Sequence, residues 1–247
     1  MQNFTQMPVI QDGAIFISDA HENANRDGFL RFLQAFDSGE IYSKQLFLIG
    51  DMFDFLTAHS VGTCQFYEKH IELIDKISQK TELFYIEGNH DFVIGKLFKN
   101  AKIYPIQAQP VKFLTSNGKS VEIAHGDNFL PFVSKYALLF LRLEWFLRFM
   151  NFIDILLNFK ISNAILQKLT LKKLDYKIPN FKAFITPKIR YYNADIVIEG
   201  HYHQGQIFNI DEKIYVNLPV FACEQSYFVV KYQNQSIKFE RKNLKGH

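Results

Sequence analysis

Residues Gln45–Phe55 read QLFLIGDMFDF: a short apolar run, a glycine, an aspartate, and a second aspartate three positions on. An apolar run without alternation suits a strand buried on both faces. A Gly-Asp pair at its carboxyl end is either turn punctuation or a functional group set on the rim of a sheet. Working outward, Ala14–Ser18 (AIFIS) and Leu83–Ile86 (LFYI) repeat the same kind of run. Between them, Phe29, Phe32, Leu33 and Phe36 give helical spacing over Ala24–Phe36, and Cys64–Ser78 reads as a second helix. Strand, helix, strand, helix, strand is the beginning of a doubly wound α/β fold, in which ligands bind beyond the carboxyl ends of the strands.

Farther along, Val111–Phe113 and Ser120–Ala124 flank Asn117-Gly118, a hairpin turn. After Asp127 the pattern changes. Phe129–Phe159 is helical and heavily apolar, and a basic amphipathic stretch follows to about Lys177, with Pro179 and Pro187 punctuating the return. Asp195–Ile198 resumes as a strand, and short strands are predicted at Gln206–Ile210, Lys213–Val216, Tyr227–Val230 and Ser236–Phe239. The organisation predicted is one α/β core, 1–128 and 178–247, interrupted by a helical insertion at 129–177.

The composition of the 247 residues, 48% hydrophobic and 21% charged, excludes a disordered or collagen-like chain. Two cysteines, Cys64 and Cys223, cannot form a disulfide framework, and the N-terminus has neither a basic n-region nor an apolar h-region. A cytoplasmic protein is expected. The net charge of +3 is unevenly spread: Phe129–Arg190 holds eleven Lys/Arg against three Asp/Glu, so a basic insert sits on an acidic body.

Five polar clusters follow predicted strands: Asp19-Ala20-His21, Gly50-Asp51 with Asp54, Gly88-Asn89-His90-Asp91, His125-Gly126-Asp127, and Gly200-His201-Tyr202-His203. Singly, each is ordinary turn or cap chemistry. Together they converge on one rim. Carboxylate, imidazole and amide oxygen without thiolate suit first-row divalent ions, and a pair of such ions activates water and neutralises charge on a phosphoryl group.

In this order the motifs DxH, GDxxD, GNHD, HGD and GHYH resemble those of the calcineurin-like metallophosphoesterase superfamily, and they span most of the chain. The resemblance implies a four-layer αββα sandwich and assigns Asp19, His21, Asp51 and His203 to one metal. It assigns Asp51, Asn89, His125 and His201 to the second. The ions implied are manganese foremost, with iron or zinc as alternatives. FLRFL at Phe29–Leu33, LFLIGDMFDF at Leu46–Phe55 and GNHDFVIGKLF at Gly88–Phe98 are similar to the UDP-2,3-diacylglucosamine pyrophosphate hydrolases of the LpxH type, which release lipid X and UMP during lipid A biosynthesis. That type carries a helical lid where this chain has its insertion. The chain departs from it at His90, where arginine is usual, and in FLPFVSKY, which lacks the acidic and tyrosine-bearing opening of the lid. A diverged branch with the same activity, as the LpxJ type is, fits as well, and a phosphodiesterase or nucleotidase with a soluble substrate is the alternative.

His90 follows a ligand directly, so it can face the phosphate and donate to the leaving oxygen. Asp91 can orient it only if the two side chains meet. Asp54 is expected to cap the helix after the second strand, and His59 and His70 to be surface or helix residues. Arg26, Lys135 and Arg142 are candidates for substrate phosphate. The insert is too interrupted by charge to span a membrane. It is read as a lid over acyl chains resting on the cytoplasmic face of the inner membrane, or else as a homodimer interface. Its leucine and phenylalanine far exceed what a base-stacking platform needs, so nucleic acid is not an expected partner.

Overall fold

The computed structural model describes residues 7–127, 132–234 and 236–244. In chain order the first half comprises β1 (Val9–Ile10), β2 (Ile15–Ile17), α1 (Gly28–Ser38), β3 (Gln45–Ile49), α2 (Val61–Phe66), α3 (Glu68–Ser78), β4 (Glu82–Ile86), β5 (Lys102–Tyr104), β6 (Val111–Thr115) and β7 (Ser120–Ala124). Helices α4 (Phe132–Leu141), α5 (Glu144–Leu156), α6 (Lys160–Leu169) and α7 (Phe181–Ile189) follow. The chain closes with β8 (Ile196–Glu199), β9 (Ile207–Ile210), β10 (Lys213–Asn217), α8 (Phe221–Glu224), β11 (Ser226–Gln233) and β12 (Ser236–Asn243).

Two six-stranded sheets face each other, ordered β12-β11-β2-β3-β4-β5 and β1-β6-β7-β8-β10-β9. The period of two in β2, β3 and β4 decides which residue faces what. Phe16, Phe47 and Phe84 are paired in register and point between the sheets. Their rings stack at 4.2 and 4.6 Å, and Phe113 of the opposite sheet meets the last two edge-on. Such aromatic pairs add about 0.5–1.5 kcal/mol each beyond burial. Ile15, Ile17, Leu46, Leu48, Leu83 and Tyr85 point the other way, into a layer with Phe29, Phe32 and Leu33 of α1 and Ile74 of α3. Both faces are covered, which is why the strand sequences are continuous apolar runs. The outer face of the second sheet (Ala124, Val197, Tyr215) is covered by Phe181, Ile185 and Ile189 of α7.

Four local expectations are corrected. The helix expected from Ala24 begins at Gly28, because Glu22–Arg26 is drawn back to the rim: Glu22 N donates to Met52 O, and Asp54 N to Glu22 O. The helix expected over Cys64–Ser78 breaks at Tyr67, whose hydroxyl is thereby aimed at Glu22 O, 2.7 Å away. Pro187 does not end the chain's helical structure but lies inside α7, where the i, i+4, i+8 spacing of Phe181, Ile185 and Ile189 outweighs it. The insertion is three helices and not a continuous one. Buried Asp154 of α5 turns the α5–α6 corner, its carboxylate accepting from Ile161 N and Ser162 N at the start of α6. Beyond α6, residues 172–178 have no regular structure and form a strap back to the core.

Candidate metal centre

Each polar cluster leaves the carboxyl end of a strand: Asp19 and His21 after β2, Asp51 after β3, Asn89 after β4, His125 after β7, and His201 and His203 after β8. Turning off a strand so abruptly requires unusual backbone. Asp19, His21, Asp51, His201 and His203 all have φ between +42° and +62°. Such conformations cost on the order of 1 kcal/mol or more each, and they cluster where function requires them. Gly88 and Gly200 allow the close approach that follows. A Cβ at Gly88 would lie 2.3 Å from Asp51 Oδ1, and one at Gly200 2.0 Å from Ser18 Oγ and 2.7 Å from Asp19 Oδ2.

Two groups of ligand-type atoms result. Asp19, His21 and His203 offer atoms within 4.8 Å of one another, and so do Asp51, His125 and His201. Asp51 lies between them, with Oδ2 3.8 Å from His21 Nε2 and 3.4 Å from His125 Nε2. His90 also comes within 4.8 Å of His21 and Asp51. His125 Nδ1 donates to Ile49 O at 3.0 Å and His203 Nδ1 to Leu174 O at 2.9 Å. With Nδ1 so occupied, each ring directs its Nε2 at a carboxylate, His203 Nε2 donating to Asp19 Oδ1 at 3.1 Å, and that Nε2 is the atom a metal ion would take in place of the proton. His21 Nε2, His125 Nε2 and Asn89 Oδ1 are buried with no hydrogen-bond partner among the described residues. Buried polar atoms without partners are costly unless something else satisfies them. Divalent cations fit this donor set: Asp19, His21, Asp51, His125, His201 and His203, six of the seven expected ligands, are brought together, and Asn89 adds a buried amide oxygen without a partner among the described residues.

Electrostatics agree. Burial alone would raise both carboxylates, but His203 beside Asp19 more than offsets it and lowers Asp19 to about 2. His125, His90 and His21 likewise hold Asp51 well below the carboxylate range. Asp51 keeps His125 well above the usual imidazole value against the opposing effect of burial. Burial, assisted by the charge of His125, lowers His201 to about 3. Both carboxylates are ionised and ready to ligate.

Other expectations are rearranged. Asp54 does not cap a helix; Ser60 does that for α2. Fully buried, Asp54 lies 3.3 Å from His21 Nδ1 and accepts two hydrogen bonds from Arg26 at 3.0 and 3.1 Å. Arg26 is thus committed behind the site. Asp91 does not meet His90: it accepts from the backbone N–H of Asp51, Met52 and Gly88 and from Tyr85 OH, tying two motif loops together. His90 Nδ1 donates to Asp54 O at 2.6 Å, so its Nε2 is an acceptor, and Lys172 Nζ donates to it at 3.0 Å. Donation from His90 to a leaving oxygen requires a second proton on the ring and displacement of Lys172.

Arg142 reaches from the end of α4 to Gly88 O at 2.8 Å and lies 3.5 Å from Asp127. Lys135 lies in α4, and its side chain falls outside the described residues. His70 is a helix residue, in α3, and not an exposed one. Buried, it contacts Glu22 Oε1 at 2.9 Å, and Glu22 in turn accepts from Phe29 N and Leu30 N at the start of α1. His59 faces Glu144 of the insertion at 3.4 Å. No motif marks Lys172 as a residue of the metal rim, nor the supporting roles of Glu22 and Asp91, although the latter stands inside GNHD.

Against known proteins, the family model for calcineurin-like phosphoesterases matches residues 14–205. The chain is 28% identical over 241 residues to the UDP-2,3-diacylglucosamine hydrolase of Wigglesworthia glossinidia brevipalpis, covering 92% of this chain and 94% of that one. It is 27% identical over 245 residues to the same-named protein of Blochmanniella pennsylvanica, covering 91% and 94%. Among solved structures, it is similar to the E. coli phosphoesterase Yfce (TM-score 0.42, 15% identity, covering 93% of this chain and 97% of that one). A predicted phosphoesterase from Streptococcus pneumoniae is similar to the same degree (0.42, 15%, covering 94% and 89%).

Proposed function

We propose that this chain, which belongs to the calcineurin-like phosphoesterase family, hydrolyses the pyrophosphate bond of UDP-2,3-diacylglucosamine to lipid X and UMP. Relatives named UDP-2,3-diacylglucosamine hydrolase align over nearly the whole chain. The observation that carries the substrate is a cavity of about 310 Å³ that opens beside the metal centre. Asn89 and His90 stand on its wall, and the rest is mostly apolar, with Phe55 and Phe92 from the core and Phe146, Met150 and Ile165 from the insertion, beside the polar Thr57, Ser60, Asn151, Asp154 and Ser162. Hydrolysis of a soluble phosphodiester needs no such space. A diacylated substrate does, since each methylene removed from water contributes about 0.8 kcal/mol.

When bound, two divalent ions, of which manganese is our first choice, supply a water nucleophile at neutral pH and neutralise phosphoryl charge. Asp19, His21, Asp51 and His203 would hold one, and Asp51, Asn89, His125 and His201 the other. Lys172, which reaches His90 at the rim, adds a positive charge beside the phosphates. The apolar cavity excludes water from the acyl side of the substrate.

The insertion also suits a lipid surface. Trp145, Phe149, Phe152 and Leu156 form one stripe on the outer side of α5, each 55–65% exposed, while Leu147 and Met150 turn inward. Exposed Arg148, next to Phe149 in the chain, and exposed Lys160, which opens α6, are the basic residues of this part of the insertion. Among the described residues no single helix is long and apolar enough to cross a membrane. A peripheral position on the cytoplasmic face of the inner membrane follows from this reading, with the stripe in the headgroup layer. Incubating the purified protein with UDP-2,3-diacylglucosamine, beside simple phosphodiesters, tests the proposal: lipid X and UMP are expected. Turnover of the simple diesters without the lipid would assign a soluble substrate instead.

A further inference from the structure

The strap that returns from α6 to the core does more than connect them. Three of its residues are fastened to the metal rim. Leu174, itself buried, offers its carbonyl to His203 Nδ1 at 2.9 Å. Tyr176 sets its ring 5.2 Å from that of His203 and donates its hydroxyl to His201 O at 3.3 Å. Lys172 donates to His90 Nε2. Gln204 secures the far end, accepting from Ile178 N at 3.0 Å and donating to Tyr176 O at 3.2 Å.

His125 and His203 are wired alike through Nδ1, but to different kinds of partner. His125 donates to Ile49 O, at the end of a central strand buried between two others. His203 donates to a carbonyl on irregular chain that leads directly into the lid helices. A partner that fixes the tautomer and direction of a ligating imidazole typically contributes 10–100-fold to metal affinity. For His203 that contribution exists only while the strap is seated.

We propose that the strap is a working part of the metal centre: Leu174 is a positioning residue for His203, and metal binding and seating of the lid's return segment stabilise each other. The proposal rests on the metal assignment above. Linkage makes the coupling reciprocal, so whatever factor the seated strap adds to metal affinity, the metal adds to strap seating. The consequence is a centre fully assembled only beneath a closed lid, which confines hydrolysis to the covered site.

The test uses the full chain. Hydrogen exchange across residues 171–178 is followed in metal-stripped protein and at saturating Mn²⁺, and Mn²⁺ is titrated calorimetrically into wild type, Leu174→Asp and Leu174→Ile. Expected are exchange slowed about 10–100-fold in the strap by Mn²⁺, one site weakened about 10–100-fold in Leu174→Asp, and near-wild-type affinity in Leu174→Ile. Should Leu174→Asp fail to fold, Tyr176→Ala takes its place with the same expectation. Wild type binding two Mn²⁺ with unchanged strap exchange, or a folded Leu174→Asp or Tyr176→Ala with wild-type affinity at both sites, overturns the proposal. Wild type that binds no Mn²⁺ overturns the metal assignment itself, and the proposal with it.

Discussion

Replacing Asp54 separates the metal centre from its support. The carboxylate is wholly buried, accepts from Arg26 twice and from Asn23 once, and faces His21 Nδ1 at 3.3 Å. Asp54→Ala leaves Arg26, whose side chain is 20% exposed, and the Asn23 amide without this partner. Breaking a buried ion pair from one side costs about 3–5 kcal/mol. Because Arg26 retains some solvent and its bond to His21 O, the low end, about 3 kcal/mol, applies. For a chain of this size that lowers the melting temperature by roughly 6–12 °C. Asp54→Asn keeps the shape and loses the charge opposite His21 and Arg26. Its first effect is on metal: orienting partners of ligating imidazoles contribute 10–100-fold, about 1.4–2.7 kcal/mol. Calorimetric titration of Mn²⁺ into metal-stripped protein, with thermal melts of the same samples, reads both quantities. If Asp54→Asn binds Mn²⁺ as wild type does at both sites, Asp54 is not a support of His21 and the reasoning fails.

Asp51→Ala is expected to lose both ions by elemental analysis and to lose turnover by orders of magnitude, while full activity after chelation and dialysis would refute a metal mechanism. Gly88→Ala puts a methyl 2.3 Å from Asp51 Oδ1 and should abolish tight Mn²⁺ binding while circular dichroism shows the fold kept; unchanged binding would show that the loop yields. Phe146→Ser in the cavity wall should raise KM for long-chain substrate about tenfold or more and leave a water-soluble phosphodiester untouched. Trp145 is the sole tryptophan and lies on the exposed stripe of α5, so its emission should shift to the blue on anionic vesicles and return with salt. No shift, with a dimer in sedimentation, would assign the stripe to a second copy of the chain.

Much was legible because it is local. Apolar runs without alternation at Ile15, Leu46 and Leu83 require strands covered on both sides, and the five polar clusters at strand ends carry their chemistry in residue type and order. Six of the seven expected ligands share the ligand groups of the metal centre, since parallel β2, β3 and β4, and β7 beside β8, bring successive carboxyl ends to one rim, and Asn89 follows β4 there. What the chain could not disclose is which side chains a ligand leans on. Asp54 reads as a cap, Arg26 as a candidate for substrate phosphate, and Asp91 as able to orient His90 only if their side chains meet, because the sequence offers only chain neighbours. Their actual partners lie 28 to 40 residues away along the chain, at Arg26 and Asn23 for Asp54 and at Asp51 and Met52 for Asp91. Residues 172–178 are the extreme case: they read as the end of a basic amphipathic stretch but are irregular, and their contacts with His90, His201 and His203 come from residues 25 to 82 positions away.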